Sequence, residues 1–124
     1  MMRWPGRKPN PFAGRDFLDL VPAPAVGAET DPETGDLVVL LPRFRDRVLG
    51  RLLQPSLPAA RRYVRVRLDA QGSVLWRAMD GHRDIRALVP VYEDAFPEDR
   101  TEAAERVCKW FYAGYESGLL TLGI

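Results

Sequence analysis

Residues 63–69 are Tyr63-Val64-Arg65-Val66-Arg67-Leu68-Asp69, a strand pattern followed by a helix start. Apolar and polar side chains alternate over the first six residues. This places the two valines and the leucine on one face of a strand, and the tyrosine and the two arginines on the other. Asp69 is a good N-cap, because its carboxylate accepts hydrogen bonds from the first turn of a helix. The sequence therefore predicts a change from sheet to helix at this point.

A hairpin is predicted upstream of this strand. Residues 37–41 (LVVLL) are short, apolar and rich in branched side chains, which favours a strand, and residues 26–29 are a weaker strand candidate. Between them, residues 31–36 (DPETGD) have turn chemistry, because an early proline presets φ and a late glycine accepts a positive φ. The three strands together predict an antiparallel sheet.

Three helices are predicted downstream. Their starts are Asp69, Asp84, and either Asp99 or Thr101; the first and third are predicted to end at Gly81 and Gly118. The first would run over residues 70–80. In the second, Pro90 removes a backbone donor, which predicts a kink or an early end. The order of strands followed by helices indicates an α+β fold.

Residues 43–62 separate the second and third predicted strands and are strongly basic. Residues 43–68 hold eight arginines and one acid, whereas acids outnumber bases sixteen to ten in the rest of the chain. Such a strip attracts nucleic acid, an acidic peptide or a lipid surface, or it is simply a solvated segment. Residues 43–53 (RFRDRVLGRLL) fit a short amphipathic helix, which is either a membrane-surface or partner helix or an insertion that packs its leucines on the sheet edge.

The third predicted helix has more apolar surface than a single core needs. Val107, Phe111 and Tyr115 lie on one face, and Cys108 and Tyr112 widen the apolar arc to about 200°, against somewhat over 100° for an ordinary surface helix. Either the second helix and the N-terminal arm, residues 1–24, cover this surplus apolar surface, or the surplus lines a groove for a partner.

The composition fits one soluble globular domain of 124 residues, with 46% hydrophobic residues, 28% charged residues and a formal charge of +1. A single cysteine favours the reducing cytoplasm. We expect no signal peptide, and no apolar stretch approaches the roughly 20 residues that a membrane-spanning helix needs. Five prolines in residues 1–24 predict an irregular arm or lead-in strand before a domain at 25–122.

No catalytic or metal site is predicted, and no cofactor is expected. The only histidine, His82, lies in a turn sequence far from Cys108, which as a buried helix cysteine would be an inert core residue; a Cys–His pair assembled by the fold is the alternative. One histidine and one cysteine cannot make a common zinc site, and no glycine-rich phosphate loop occurs. We expect a protein that is not an enzyme.

Four short strings occur in a set order: Val38-Val39-Leu40-Leu41-Pro42, Leu68-Asp69-x-x-Gly72-Ser73-x-x-Trp76, Met79-Asp80-Gly81-x-Arg83-Asp84-Ile85 and Ser117-Gly118-Leu119-Leu120. As an ordered set they resemble the PqqD-like peptide chaperones, the RiPP recognition elements of peptide-modifying systems. The resemblance covers residues 25–122. Variants with a basic insertion before the third strand are similar to this chain.

The resemblance implies a winged helix-turn-helix fold, a three-stranded antiparallel sheet followed by three helices, with residues 43–62 as an insertion. It also implies a role, namely binding the leader segment of a ribosomally made precursor peptide and presenting it to a modifying enzyme, often a radical SAM protein. The leader would add as a strand along residues 63–68, with its side chains in a cleft beside the third helix. The implied peptide-binding residues are Val64, Arg65, Val66, Arg67, Leu68, Cys108, Phe111, Tyr112 and Tyr115.

The residues themselves fit strand addition, which needs a free strand edge and an apolar pocket for alternate side chains. The residues that would supply that pocket are Val64, Val66, Cys108, Phe111, Tyr112 and Tyr115. Arg65 and Arg67 would pair with acidic leader residues at its rim, or they form an ordinary solvent-facing strand surface.

Two other classes of function compete with peptide binding. A winged-helix transcriptional regulator would place the third helix in the major groove of DNA. That helix exposes Glu102, Glu105 and Glu116 against only Arg106 and Lys109, so nucleic acid is not the expected partner. An oligomerising adaptor would instead bury the apolar surplus in a homodimer.

Overall fold

The computed structural model describes residues 3–7, 9–12, 14–42 and 63–124, so the predicted basic insertion at 43–62 lies outside the described residues. The described part is α+β, with a three-stranded antiparallel sheet followed by three α-helices, as predicted. The chain divides into two compact units. The hairpin unit comprises residues 26–68, and the helical unit comprises residues 1–25 and 69–124.

The strands are β1 (Val21–Pro24), β2 (Gly27–Thr30), β3 (Leu37–Pro42), β4 (Tyr63–Arg67) and β5 (Leu120–Gly123). The α-helices are α1 (Ala70–Ala78), α2 (Ile85–Ala95) and α3 (Ala103–Ser117). Short 3-10 helices occur at Phe17–Asp19 and Pro97–Glu102.

The hairpin unit contains the predicted turn. The Asp31 N–H donates to the Asp36 carbonyl at 2.8 Å, and Gly35 has a φ of 76°. This is the left-handed conformation that glycine adopts without steric cost. The sheet order is β2-β3-β4, both pairs antiparallel, so β3 is the central strand.

The first two helices begin where the sequence predicts. The Gly72 N–H donates to Asp69 Oδ1 at 2.7 Å, and the Ala87 N–H donates to Asp84 Oδ1 at 2.8 Å. The end of α1 differs from the prediction, because Met79 is already extended, with a ψ of 114°. Gly81 does have a positive φ of 79°, but it lies in the turn between the helices and not at the helix end.

The sequence predicts a kink or an early end of α2 at Pro90, and the early end is wrong. The helix continues through Pro90 to Ala95. Proline removes only the N–H that would have bonded to the Arg86 carbonyl. Both residues lie on the exposed side of α2, where water can hydrate that carbonyl, while Ile85 and Leu88 on the opposite side are fully buried.

The predicted caps of the third helix are also wrong. A 3-10 helix precedes α3. Glu102 is the N-cap residue of α3, and its side chain makes no capping hydrogen bond. The Asp99 carboxylate instead accepts the hydroxyl hydrogen of Tyr92 at 2.8 Å. The end of α3 agrees with the prediction, because Gly118 has a φ of 81°.

The two ends of the helical unit form a small sheet that the sequence did not predict. β1 pairs antiparallel with β5, with Val21 opposite Gly123 and Pro24 opposite Leu120. Leu120 is 2% exposed and contacts the core of the unit. The largest fully buried side chains there are Tyr92, Phe17, Phe111, Leu20, Leu75, Ile85, Leu88, Leu120, Val107 and Pro22.

Candidate functional site

β4 is an edge strand in the described part of the chain, where it pairs only with β3. The Leu68 N–H donates to the Leu37 carbonyl at 2.9 Å. This bond determines which residues of β4 direct their backbone groups toward β3. Antiparallel pairs alternate between bonded and non-bonded residues, so Leu68, Val66 and Val64 bond to β3. The backbone N–H and C=O groups of the residues between them, Tyr63, Arg65 and Arg67, therefore point away from β3.

The two arginines of β4 pair with acids of the same unit. Arg67 donates to Asp36 Oδ2 at 2.8 Å, to Asp31 Oδ2 at 3.0 Å and to Thr34 Oγ1 at 2.9 Å. Arg65 pairs with Glu29. Hydrogen bonds to Asp36 and then to Asp31 raise the pKa of Arg67. The arginine side chains remain more than half exposed, so these pairs lie in water.

The opposite face of β4 is apolar and partly open. Val64 is 41% exposed, one of two large hydrophobic residues that are exposed in the described part of the chain. Val66 and Leu68 are half-buried, and Val39, which is opposite Val66 in the ladder, is fully buried. The strand thus has the two different faces that its alternation predicts.

The predicted residues of α3 belong to the helical unit, and the structure separates them into two groups. Phe111 is 0% exposed and Cys108 is 3% exposed, so both are core residues that do not face solvent. Tyr112 and Tyr115 are partly exposed. Of the four predicted residues on α3, the two tyrosines are therefore the ones that the core does not enclose.

Burial also settles the chemistry of Cys108. It raises the pKa of the thiol to about 11, with a smaller contribution from the charge of Asp16. The thiolate is the nucleophilic form, so at neutral pH almost none is present. This agrees with its interpretation as an inert core cysteine.

The N-terminal arm covers part of the aromatic surface of α3. The Trp4 ring lies 5.3 Å from that of Tyr112 and 5.8 Å from that of Tyr115, both edge-on. Phe12 and Phe17 contact the same indole at 5.7 and 5.9 Å. The Tyr112 hydroxyl donates to Glu116. Of the two outcomes predicted for the apolar surplus of this helix, the structure shows cover by the arm at these tyrosines.

A concave surface, which the sequence did not indicate, lies among the three helices. It is an open depression of about 440 Å³, lined by Leu75, Tyr92 and Trp110 together with polar residues. Its cations have partners close by, because Arg106 pairs with Glu102 at 2.9 Å and Lys109 with Glu105 at 2.9 Å. No sequence motif marks this surface, since its residues come from three separate helices.

Within the described ranges, no group of three or more histidine, cysteine or acidic residues is placed to hold a metal ion. None of the described helices combines the length and the apolar run needed to cross a membrane. Comparisons with known proteins found no matching family model, no matching curated protein and no matching solved structure. The geometry of β4 is therefore the basis for assigning a function.

Proposed function

We propose that this chain is a non-catalytic peptide-binding protein of the PqqD-like, winged helix-turn-helix kind. It captures an extended leader segment of a ribosomally made precursor peptide by strand addition along β4. It then presents that segment to a modifying enzyme, such as a radical SAM protein. The observation that supports this most directly is the register of β4, which turns the N–H and C=O groups of alternate residues away from β3.

An outward ladder of this kind is what an extended guest needs. A strand that adds to a sheet edge gains main-chain hydrogen bonds for affinity, and pockets for its alternate side chains give specificity. On β4 the outward groups belong to Tyr63, Arg65 and Arg67. The exposed Val64 lies on the apolar face, where a guest side chain can contact it.

The arginine pairs do not prevent an acidic guest from binding. Exposed ion pairs such as Arg65 with Glu29 contribute only about 0–1 kcal/mol each. An acidic leader residue can therefore replace Glu29 or Asp36 at little cost. Because Arg67 already holds two carboxylates, we expect such charges to affect the association rate more than the affinity.

The test compares two substitutions at one residue. Arg65→Pro removes an outward N–H and leaves the bonds to β3 intact, because proline is tolerated on the solvent side of an edge strand. Arg65→Ala removes the same side chain and keeps the N–H. The probe is a fluorescein-labelled dodecapeptide selected from a random library on the wild-type protein, with binding followed by fluorescence anisotropy.

We expect Arg65→Pro to bind this probe about tenfold more weakly than Arg65→Ala, since it loses a backbone hydrogen bond and places a ring at the edge. Circular dichroism should show that both variants are folded. Equal affinities of the two folded variants would refute strand addition on β4.

Salt dependence distinguishes this function from DNA binding. The cations of α3, Arg106 and Lys109, are paired with glutamates on the same helix. We therefore expect binding to random duplex DNA to be much weaker than binding to the peptide probe at equal salt. Tight DNA binding that falls steeply with salt would favour the regulator instead.

A further inference from the structure

Residues 3–15 of the N-terminal arm have an aromatic anchor in Trp4. Its indole contacts Tyr112 and Tyr115 on α3, and Phe12 also contacts Tyr115, with ring centroids 6.3 Å apart. These tyrosines are the only residues predicted for peptide binding on α3 that the core does not enclose. The arm thus covers the two predicted binding residues that α3 leaves outside the core.

Gly6, two residues after the anchor, lies close to two aromatic rings. A Cβ atom at Gly6 would lie 2.8 Å from both Trp4 Nε1 and Tyr112 Cζ, and closer still to the Tyr112 hydroxyl oxygen. Real Cβ atoms do not approach other atoms this closely, so any larger residue would push both aromatic rings away. An aromatic residue followed two positions later by glycine is therefore the pattern that this surface accepts.

In residues 3–7, 9–12, 14 and 15, side-chain packing and not a backbone ladder attaches the arm. The hydrogen bonds described for residues 3–15 are local, such as the Phe12 N–H to Asn10 Oδ1 at 2.8 Å and the Arg15 N–H to the Phe12 carbonyl at 3.1 Å. By contrast, β1 is paired to β5 along its whole length. The arm can therefore leave α3 without disrupting any sheet.

The anchor is also an imperfect ligand. Trp4 Nε1 is buried and has no hydrogen-bond partner among the described residues. A buried donor without an acceptor loses the hydrogen bond that it makes to water in the detached arm. Aromatic packing favours the attached arm, and the lost hydrogen bond to water opposes attachment. The free-energy difference between the attached and detached arm is therefore smaller than the ring contacts alone indicate.

We infer that the arm is a built-in competitor, which occupies the Tyr112 and Tyr115 surface in cis and must leave before a peptide can use it. This inference rests on the proposed function, which makes the guest a peptide. The side-chain pattern expected of that peptide is taken from the arm, namely an aromatic side chain two residues before a glycine. An aromatic guest without a polar ring atom would avoid the loss that Trp4 suffers.

The first experiment measures attachment in the full chain without any guest. Hydrogen exchange of the Trp4 indole N–H is followed by NMR, with Trp4→Phe used to assign its signal. We expect slow exchange in the wild type and fast exchange in Gly6→Ala, with Arg3→Ala behaving like the wild type. Equally fast exchange in the wild type and in Gly6→Ala would overturn the inference.

The second experiment supplies the arm in trans. A synthetic peptide of residues 3–16, RWPGRKPNPFAGRD, is titrated into the full-length chain and followed by NMR. We expect it to bind Trp4→Ala roughly tenfold more tightly than the wild type, because the tethered arm competes at high effective concentration. Tyr112→Ala in the same background should remove this binding, and a peptide carrying Gly6→Ala should not bind.

Three results would contradict competition in cis. One is equal binding of the peptide to the wild type and to Trp4→Ala. Another is a wild-type dimer that Trp4→Ala converts to a monomer, because the arm would then attach to a second copy. The third is peptide binding that survives Tyr112→Ala. None of these depends on the comparison of Arg65→Pro with Arg65→Ala, so each proposal can fail separately.

Discussion

At the scale of single residues, burial determines what Cys108 can do. The side chain is 3% exposed, and its pKa is raised from an ordinary value of 9.0 to about 11. The folded protein therefore keeps the thiol proton over a pH range in which the unfolded chain loses it. This difference links the ionisation of one side chain to the stability of the fold.

We predict that Cys108 makes the protein less stable between pH 9 and 11. The unfolded chain binds fewer protons there, so the free energy of unfolding falls as pH rises, by at most about 1.4 kcal/mol per pH unit from this group. Urea unfolding of Cys108→Ala should show a shallower fall over the same range. Parallel pH profiles for the two proteins would contradict the prediction, whatever the difference in their absolute stability.

Asp84 gives a second test at this scale. Asp84→Ala should lower the free energy of unfolding by about 1 kcal/mol, because the Ala87 N–H loses its side-chain acceptor at the start of α2 and keeps only the Asp84 carbonyl at 3.1 Å. Asp84→Asn is the matched control, since the amide oxygen can still accept that bond and should change stability by only a few tenths of a kcal/mol. Urea denaturation measures both, and an alanine variant as stable as the asparagine variant would show that the cap contributes nothing.

Capping residues also show what local sequence can predict. Asp69 and Asp84 cap their helices as expected, because each carboxylate needs only a backbone N–H within its own first turn. Asp99 has the same chemistry, yet its carboxylate accepts the hydroxyl of Tyr92 from the preceding helix. A residue with two available donors cannot be assigned from its neighbours in sequence.

At the scale of secondary structure, α2 contains a proline that the helix tolerates without ending. Proline in a helix interior costs about 3 kcal/mol relative to alanine, because a hydrogen bond is lost and the ring crowds the preceding turn. The fully buried Ile85 and Leu88 lie on the other side of this helix and stabilise it through packing. Tertiary packing therefore outweighs the local preference.

We predict that Pro90→Ala stabilises the protein by about 1–3 kcal/mol, since the Arg86 carbonyl regains a helical donor. Pro90→Gly restores the same N–H but has poorer helix propensity by about 1 kcal/mol, so it should lie between the wild type and the alanine variant. Thermal and urea unfolding of the three proteins give this order. A less stable alanine variant would mean that the path of α2 requires proline.

The strands differ in how far sequence predicts them. β3 and β4 carry their own signals, an apolar run and a strict alternation, and both lie where these patterns place them. β1 and β5 are four residues each and pair across most of the chain, so neither has a local pattern that names its partner. The same reason applies to the contact of Trp4 with Tyr112 and to the ion pair of Asp31 with Arg67. Neither could be predicted, because the two partners are distant in sequence.

At the scale of the whole molecule, β5 completes the core of the helical unit. Leu120 is 2% exposed, and its side chain is so close to α3 that a Cβ atom at Gly114 would lie 2.6 Å from Leu120 Cδ2. Glycine at position 114 therefore allows the strand to approach the helix. β5 is therefore part of the core packing of the helical unit.

We predict that Leu120→Ala lowers the free energy of unfolding by about 2–5 kcal/mol, as expected for a buried leucine whose cavity cannot fully close. Thr121→Ala, the exposed neighbour on the same strand, should change it by less than about 0.5 kcal/mol. Urea denaturation with circular dichroism compares the two. Similar small effects would show that β5 does not contribute to the core.

Because β1 pairs with β5, this small sheet can form only after β5 has been synthesised. Thr121 follows its partner Ala23 by 98 residues. At about 5–20 residues per second, synthesis leaves β1 without its neighbour for roughly 5–20 seconds. During that interval the backbone groups of β1 that later bond to β5 have no partner strand.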